Sequence, residues 1–172
     1  HSSKYIQCAK LLSYPHLSRN LCKSLSQKII KKFNNIDLIL APAIGGIVIG
    51  YEIGRLLKKE TIFSERIEGK FQLRRGFSIK KNSRVIIIED VITTGKSSLE
   101  CAKLIKQSRA KLLGFACLID RSNNKNLKIK NKKIISQIKL DIPVFKKNNL
   151  PKLLKKKPIT KPGSRFLKWA LD

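Results

Sequence analysis

The sequence predicts an α/β protein, a mostly parallel sheet flanked by helices on both faces. Three observations point there. Short apolar, β-branched runs at Asp37–Leu40, Thr61–Phe63, Val85–Ile88, Leu112–Ile119 and Ile134–Ile138 have the composition of buried strands. Between them lie helical repeats: Leu17, Leu21, Leu25, Ile29 and Phe33, then Ile49, Ile53 and Leu57, then Leu99, Ala102, Leu104 and Ile105. Glycine and hydroxyl clusters, Gly45-Gly46 and Thr93-Thr94-Gly95, fall where strands give way to helices.

In chain order, Ser2–Ala9 alternates in part and is expected to be extended. Pro15 suits the first turn of a helix over His16–Phe33, whose apolar residues are core by default. Strand Asp37–Leu40 runs into Ala41-Pro42-Ala43-Ile44-Gly45-Gly46. The two glycines would let the backbone approach a ligand closely, and a tight strand-to-helix turn explains them equally well. A helix follows over Ile47–Lys58, then strand Thr61–Phe63. Ser64–Phe77 alternates in charge and is expected to be a flexible loop or hairpin flanked by short strands. Its cations Arg66, Lys70, Arg74 and Arg75 could neutralise a diphosphate, and a solvated charged hairpin is the plainer alternative. After strand Val85–Ile88 and its loop, a helix covers Ser97–Ser108. Strand Leu112–Ile119 ends at Asp120-Arg121-Ser122, Asn123–Lys133 is a polar surface loop or turn, and Ile134–Ile138 is the last strand. Residues 140–172 are expected to be an irregular tail with Pro143, Pro151, Pro158 and Pro162, closing on a short helix near Arg165–Leu171. The 172 residues fit one domain, 1–172, and contain no internal repeat.

The net charge is +27 and the sequence pI about 10.3, a first pointer to nucleic acid. The excess is mostly lysine, since only nine of the 38 cations are arginine. Lysine, asparagine and isoleucine are all residues of A·T-rich codons, and the lysines are spread along the chain. Nucleic-acid binding is therefore not the expected role, although a positive surface would draw in anionic substrates. No run of 18 apolar residues occurs, so no membrane helix is expected. Cys8, Cys22, Cys101 and Cys117 lack C-x-x-C spacing, which favours buried thiols in a reduced cytoplasmic setting over disulfides or zinc.

The chemistry concentrates in Arg84–Ser98. A buried strand runs into Glu89-Asp90, then a loop of Thr93, Thr94, Gly95, Lys96 and Ser97 that opens a helix. Backbone N–H groups and a helix N-terminus favour a phosphate, and the carboxylates can accept hydrogen bonds from a ribose diol. The implied ligand is a sugar phosphate. Gly95-Lys96-Ser97 is not a P-loop, because the glycine required five residues earlier is Asp90. No G-x-G-x-x-G follows any strand. In a parallel sheet, Ala43–Gly46, Arg66–Lys70, Glu89–Ser98 and Asp120–Ser122 would share the carboxyl edge where ligands bind.

This stretch resembles the phosphoribosyl-diphosphate (PRPP) motif of the type I phosphoribosyltransferases. Within them the chain is similar to the orotate phosphoribosyltransferases, on His-Ser-Ser-Lys-Tyr (1–5), Pro-Ala-Ile-Gly-Gly-Ile (42–47), Glu-Arg-x-x-Gly-Lys-x-x-Leu-Arg-Arg-Gly-Phe (65–77), Glu-Asp-Val-Ile-Thr-Thr-Gly (89–95), Asp-Arg-Ser (120–122) and Lys-Pro-Gly-Ser-Arg (161–165). The resemblance implies a type I phosphoribosyltransferase fold with a flexible loop or hairpin over the active site. It implies transfer of the phosphoribosyl group from PRPP to orotate in UMP biosynthesis. Arg66, Lys70, Glu89, Asp90, Val91, Ile92, Thr93, Thr94, Gly95, Lys96 and Ser97 would bind PRPP. Lys70 and Asp90 would be catalytic, and Thr93, Arg121 and Tyr5 would meet orotate. Mg²⁺ would arrive on PRPP with no direct protein ligand, and a cytoplasmic homodimer would share its active sites. Lys96 stands where many members have Gly, and Gln72 where some have His. Such proteins carry about two dozen residues before the position of His1, including a lysine near the base, so an N-terminal segment is expected to be missing here. The alternatives are a PRPP-binding, nucleic-acid-binding regulator on the same fold, or transfer to another base.

Overall fold

The computed structural model describes residues 6–122, 127–131, 133–143, 145, 149–155 and 158. Residues 8–141 form one compact unit, and 1–7 with 142–172 a second. The first unit holds helices α1 (Cys8–Leu12), α2 (Pro15–Lys32), α3 (Gly45–Leu57) and α4 (Lys96–Gln107). Its strands are β1 (Leu38–Pro42), β2 (Glu60–Ile67), β3 (Lys70–Leu73), β4 (Arg84–Ile92), β5 (Lys111–Asp120) and β6 (Ile134–Lys139). They make one sheet in the order β3-β2-β1-β4-β5-β6, parallel except for the β2–β3 hairpin.

Strand alternation divides the core into two layers. Leu38, Leu40, Val85, Ile87, Phe115 and Cys117 pack with Cys101 and Ile105 of α4. The alternate residues face α2 and α3, where Gly50 lies against Ala41 and the Phe33 ring against Gly114. Ile39, Leu40, Ile86, Ile87, Ile88 and Phe115 are fully buried, as continuous apolar strands covered on both faces require. At the opposite edge from the strand ends, Asp37 accepts hydrogen bonds from the Arg84 backbone N–H (2.8 Å), Nε (3.0 Å) and Nη2 (2.9 Å). Those bonds hold the Asp37 carboxyl down to about 2.

Several expectations change. Of the segment Ser2–Ala9 expected to be extended, residues 2–5 lie outside the described residues, and Cys8 and Ala9 instead open helix α1, in keeping with the good helix formers Ala9, Lys10, Leu11 and Leu12. Leu17 is 47% exposed. A strict four-residue spacing drifts by about 40° per step around a 3.6-residue helix, and the buried face of α2 is Ser18, Cys22, Leu25, Ser26 and Ile29. The polar 123–133 segment is not all surface, since Ile129 is buried in the core beneath α4 and Leu127 packs there too. The second unit contains a short helix, α5 (Lys152–Lys155), behind Pro151; the helix expected near Arg165–Leu171 lies outside the described residues.

Candidate functional site

Because β1, β2, β4 and β5 are parallel, their carboxyl ends share one edge of the sheet. Pro42 at the end of β1 pairs with Ser64, so β2 continues three residues further and lifts the hairpin above that edge. The hairpin turns at Glu68-Gly69, both with positive φ (46° and 79°), the two-residue geometry whose twist matches antiparallel strands. Of the two forms expected for this segment, flexible loop or hairpin, residues 64–73 adopt the hydrogen-bonded hairpin.

Cross-strand pairing decides where its cations point. Arg66 pairs with Phe71 and Ile67 with Lys70, so Arg66 and Lys70 emerge on opposite faces. The Arg66 guanidinium lies 4.2 Å from the Phe71 ring centre, donates to the Gly69 carbonyl and sits 2.6 Å from Glu100 of α4. Arg75 donates to Glu65 at 2.8 Å. Lys70 and Arg74 are exposed and form no ion pair among the described residues.

Glu89 and Asp90 lie inside β4, so they too point to opposite faces. Glu89 is buried and accepts from Ser98 Oγ at 3.1 Å, which ties the strand to the first turn of α4. Asp90 faces the start of α3, and its Oδ1 accepts the Val91 N–H at 2.8 Å. A Cβ on Gly45 would fall 2.6–2.9 Å from the Asp90 carboxylate, so only glycine leaves that carboxylate its place. Burial pushes the Asp90 carboxyl above the usual range, against the lowering effect of its backbone hydrogen bonds. A single ligand can reach both acids only end-on, at the strand terminus.

Gly45→Ala is accordingly expected to destabilise the protein by about 1–3 kcal/mol through overpacking. Measured by denaturant unfolding, the loss should shrink in an Asp90→Ala background, because the two side chains compete for one volume.

Beyond β4 the chain is strapped in place. The Ile92 carbonyl accepts from the Arg121 N–H (2.8 Å) and the Thr94 carbonyl from the Lys128 N–H (2.9 Å). Gly95 caps α4 with φ +70°, and a Cβ there would fall 2.7 Å from Ile129. Thr93 is exposed, Thr94 and Ser97 are half-buried, and the Lys96 N–H donates to Thr94 Oγ1 at 3.4 Å. The backbone N–H groups of the α4 first turn therefore open beside this loop, the arrangement that receives a phosphate. Within the expected phosphate set, the Ile92 side chain is buried in the core, so its place in that set rests on its backbone.

The pairing of Ile92 with Asp120 brings Thr93 and Arg121 to adjacent strand ends. Asp120 fixes the turn there by accepting the Ser122 N–H at 2.8 Å. Tyr5 lies outside the described residues. At this edge a sequence reading misses Glu100 altogether and misses the partners of Gly45 and Ser98. Each acts through a partner between nine and 45 positions away, which no local periodicity encodes. The cysteines are buried, and burial raises the Cys8 and Cys101 thiols to about 12, so neither is a nucleophile at neutral pH. Among the described residues no cluster of three or more His, Cys, Asp or Glu is disposed to hold a metal.

Comparison with known proteins matches the phosphoribosyl transferase domain to residues 14–148. The chain is 43% identical over 168 residues to an orotate phosphoribosyltransferase of Parvibaculum lavamentivorans, covering 97% of this chain and 86% of that one. Among solved structures it is similar to the adenine phosphoribosyltransferase of Leishmania tarentolae, with a TM-score of 0.64 and 18% identity over 81% of this chain and 80% of that one. It is also similar to the UMP synthase of Leishmania donovani, with a TM-score of 0.64 and 20% identity over 79% of this chain and 30% of that one. At those identities the two structures speak for the fold.

Proposed function

The chain belongs to the phosphoribosyltransferase family, and from that premise we propose that it transfers the 5-phosphoribosyl group of PRPP to orotate in pyrimidine biosynthesis. The observation that carries the orotate reading is the 43% identity, over 97% of the chain, to a protein named for that activity. In the reaction a ring nitrogen of orotate bonds to ribose C1 as the C1–oxygen bond to diphosphate breaks, giving orotidine 5′-phosphate and diphosphate.

Each part of the carboxyl edge takes a share of that chemistry. The 5-phosphate rests on the loop 93–97 and the amides opening α4. Glu89 and Asp90 hold ribose hydroxyls from the strand end and orient C1. Thr93 and Arg121 read the base, Arg121 through charge-assisted bonds to the orotate carboxylate. Arg66 and Lys70 on the hairpin supply positive charge where diphosphate departs.

The residues present fit a magnesium ion that arrives on substrate oxygens better than one caged by protein. The two carboxylates diverge, and Asp90 resists ionisation through burial. When bound, Mg²⁺ would neutralise charge on the diphosphate. A second copy of the chain is the proposed partner. Ile44, Val48 and Tyr51 form an exposed apolar stripe at the start of α3 that a homodimer would cover. Among the described residues no helix is long and apolar enough to cross a membrane, and the buried free thiols are in keeping with a cytoplasmic enzyme.

The test is PRPP-dependent loss of orotate absorbance, with adenine, hypoxanthine and uracil as competing bases. Orotate alone should be consumed. Turnover of a purine without orotate would overturn the assignment.

A further inference from the structure

Glu100 is the unassigned charge at this edge. It stands one helical turn below Lys96 on α4, with its side chain 22% exposed. Its Oε2 lies 2.6 Å from Arg66 Nη2, and its Oε1 lies 4.0 Å from Lys96 Nζ. One carboxylate thus stands between a cation of the hairpin and a cation of the phosphate loop. Its Oε2 is buried and accepts no hydrogen bond of good geometry among the described residues. The contact with Arg66 is therefore chiefly Coulombic, the kind that a stronger anion can displace.

We propose that Glu100 is an internal counter-anion that sets PRPP affinity: it neutralises Arg66 and Lys96 in the empty site and yields them to substrate phosphate. This rests on the PRPP reading above and goes beyond it by giving Lys96 and Glu100 a coupled role. Two effects compete when Glu100 loses its charge. Arg66 loses one support, which would weaken binding if Glu100 were needed to aim it. The two cations beside Glu100 lose their neutraliser, which strengthens binding of an anion. The second effect wins, because Arg66 keeps two other holds, the Phe71 ring and the Gly69 carbonyl. Lys96, 59% exposed, is free to turn to the anion.

Glu100→Gln is expected to tighten PRPP and inorganic diphosphate roughly fivefold at low salt, read by titration calorimetry. The gain should fade as KCl is raised to a few tenths molar. In a Lys96→Gly background the gain should be smaller, because one of the two released cations is gone. Unchanged or weaker diphosphate binding by Glu100→Gln would overturn the proposal. If that variant does not fold, Lys96→Gln serves instead: PRPP binding should weaken at low salt with an unchanged melting temperature, and an unaltered affinity overturns the proposal. Wild-type binding of PRPP without orotate turnover would sink the base assignment and leave the Glu100 result standing. Orotate turnover with no tightening in Glu100→Gln would sink this inference alone.

Discussion

Asp90→Asn is expected to cut phosphoribosyl transfer by about a hundredfold or more while making the protein harder to unfold at neutral pH. The two effects share one cause. Asp90 is held between the end of β4 and the start of α3, and burial raises its carboxyl above the ordinary range. A carboxyl with a raised pKa binds its proton more tightly in the folded chain than in the unfolded one. Its contribution to stability is therefore full below the unfolded pKa of about 3.9 and is lost as pH rises through the folded value. At neutral pH the wild type carries a penalty for a desolvated charge. Asparagine removes that charge, is nearly isosteric, and keeps an amide oxygen for the Val91 N–H. The melting temperature of Asp90→Asn should exceed wild type at about pH 7.5 and converge with it toward about pH 4. Activity should move the other way. An amide is a weaker acceptor for a ribose hydroxyl than a carboxylate, and kcat/KM for PRPP should fall by about a hundredfold or more. Thermal unfolding across that pH range, beside steady-state assays, checks both halves. A variant that is less stable at neutral pH, or that retains activity within threefold, would remove the carboxylate from the role given to it.

That trade between stability and chemistry shows which parts of the molecule local sequence can carry. The Ile-rich run of β4 and its hydroxyl-rich exit read directly, because burial on both faces and a helix start each leave a mark in consecutive residues. The same holds for Gly45-Gly46 at the opening of α3. What does not read locally is which residues meet. Gly45 is explained by Asp90, 45 positions on, and Glu89 by Ser98, once the α4 turn brings it back. Lys96 looks anomalous as a lysine in a phosphate loop until Glu100 and Arg66 are seen beside it. The misplacement of Leu17 has a different origin, the drift of a four-residue ridge around a 3.6-residue helix. The hairpin was legible from its alternation but the place of its turn was not, because a Glu-Gly turn carries a weaker signal than Asn-Gly.

The hairpin supplies the second large effect: Lys70→Ala is expected to lower kcat at least about tenfold with little change in PRPP affinity. Lys70 and Arg66 are four residues apart, yet cross-strand pairing sends them to opposite faces, and their tasks divide accordingly. Arg66 is held by a ring, a carbonyl and a carboxylate, so it is committed before substrate arrives. Lys70, exposed beside the turn and without an ion pair among the described residues, has spent none of its charge on the fold. A flexible ammonium of that kind contributes most where new charge appears, on the departing diphosphate, and least to ground-state binding. Removing it should therefore leave KM for PRPP within about threefold and the melting temperature unmoved, while Lys70→Arg should restore part of kcat. Arg66→Ala should differ by also lowering stability, since it strips the Phe71 stack and leaves the buried Oε2 of Glu100 without its cation. Equal losses of kcat and affinity in Lys70→Ala would make it a binding residue like Arg66. An unchanged kcat would remove Lys70 from the mechanism and leave Arg66 as the hairpin's one committed cation.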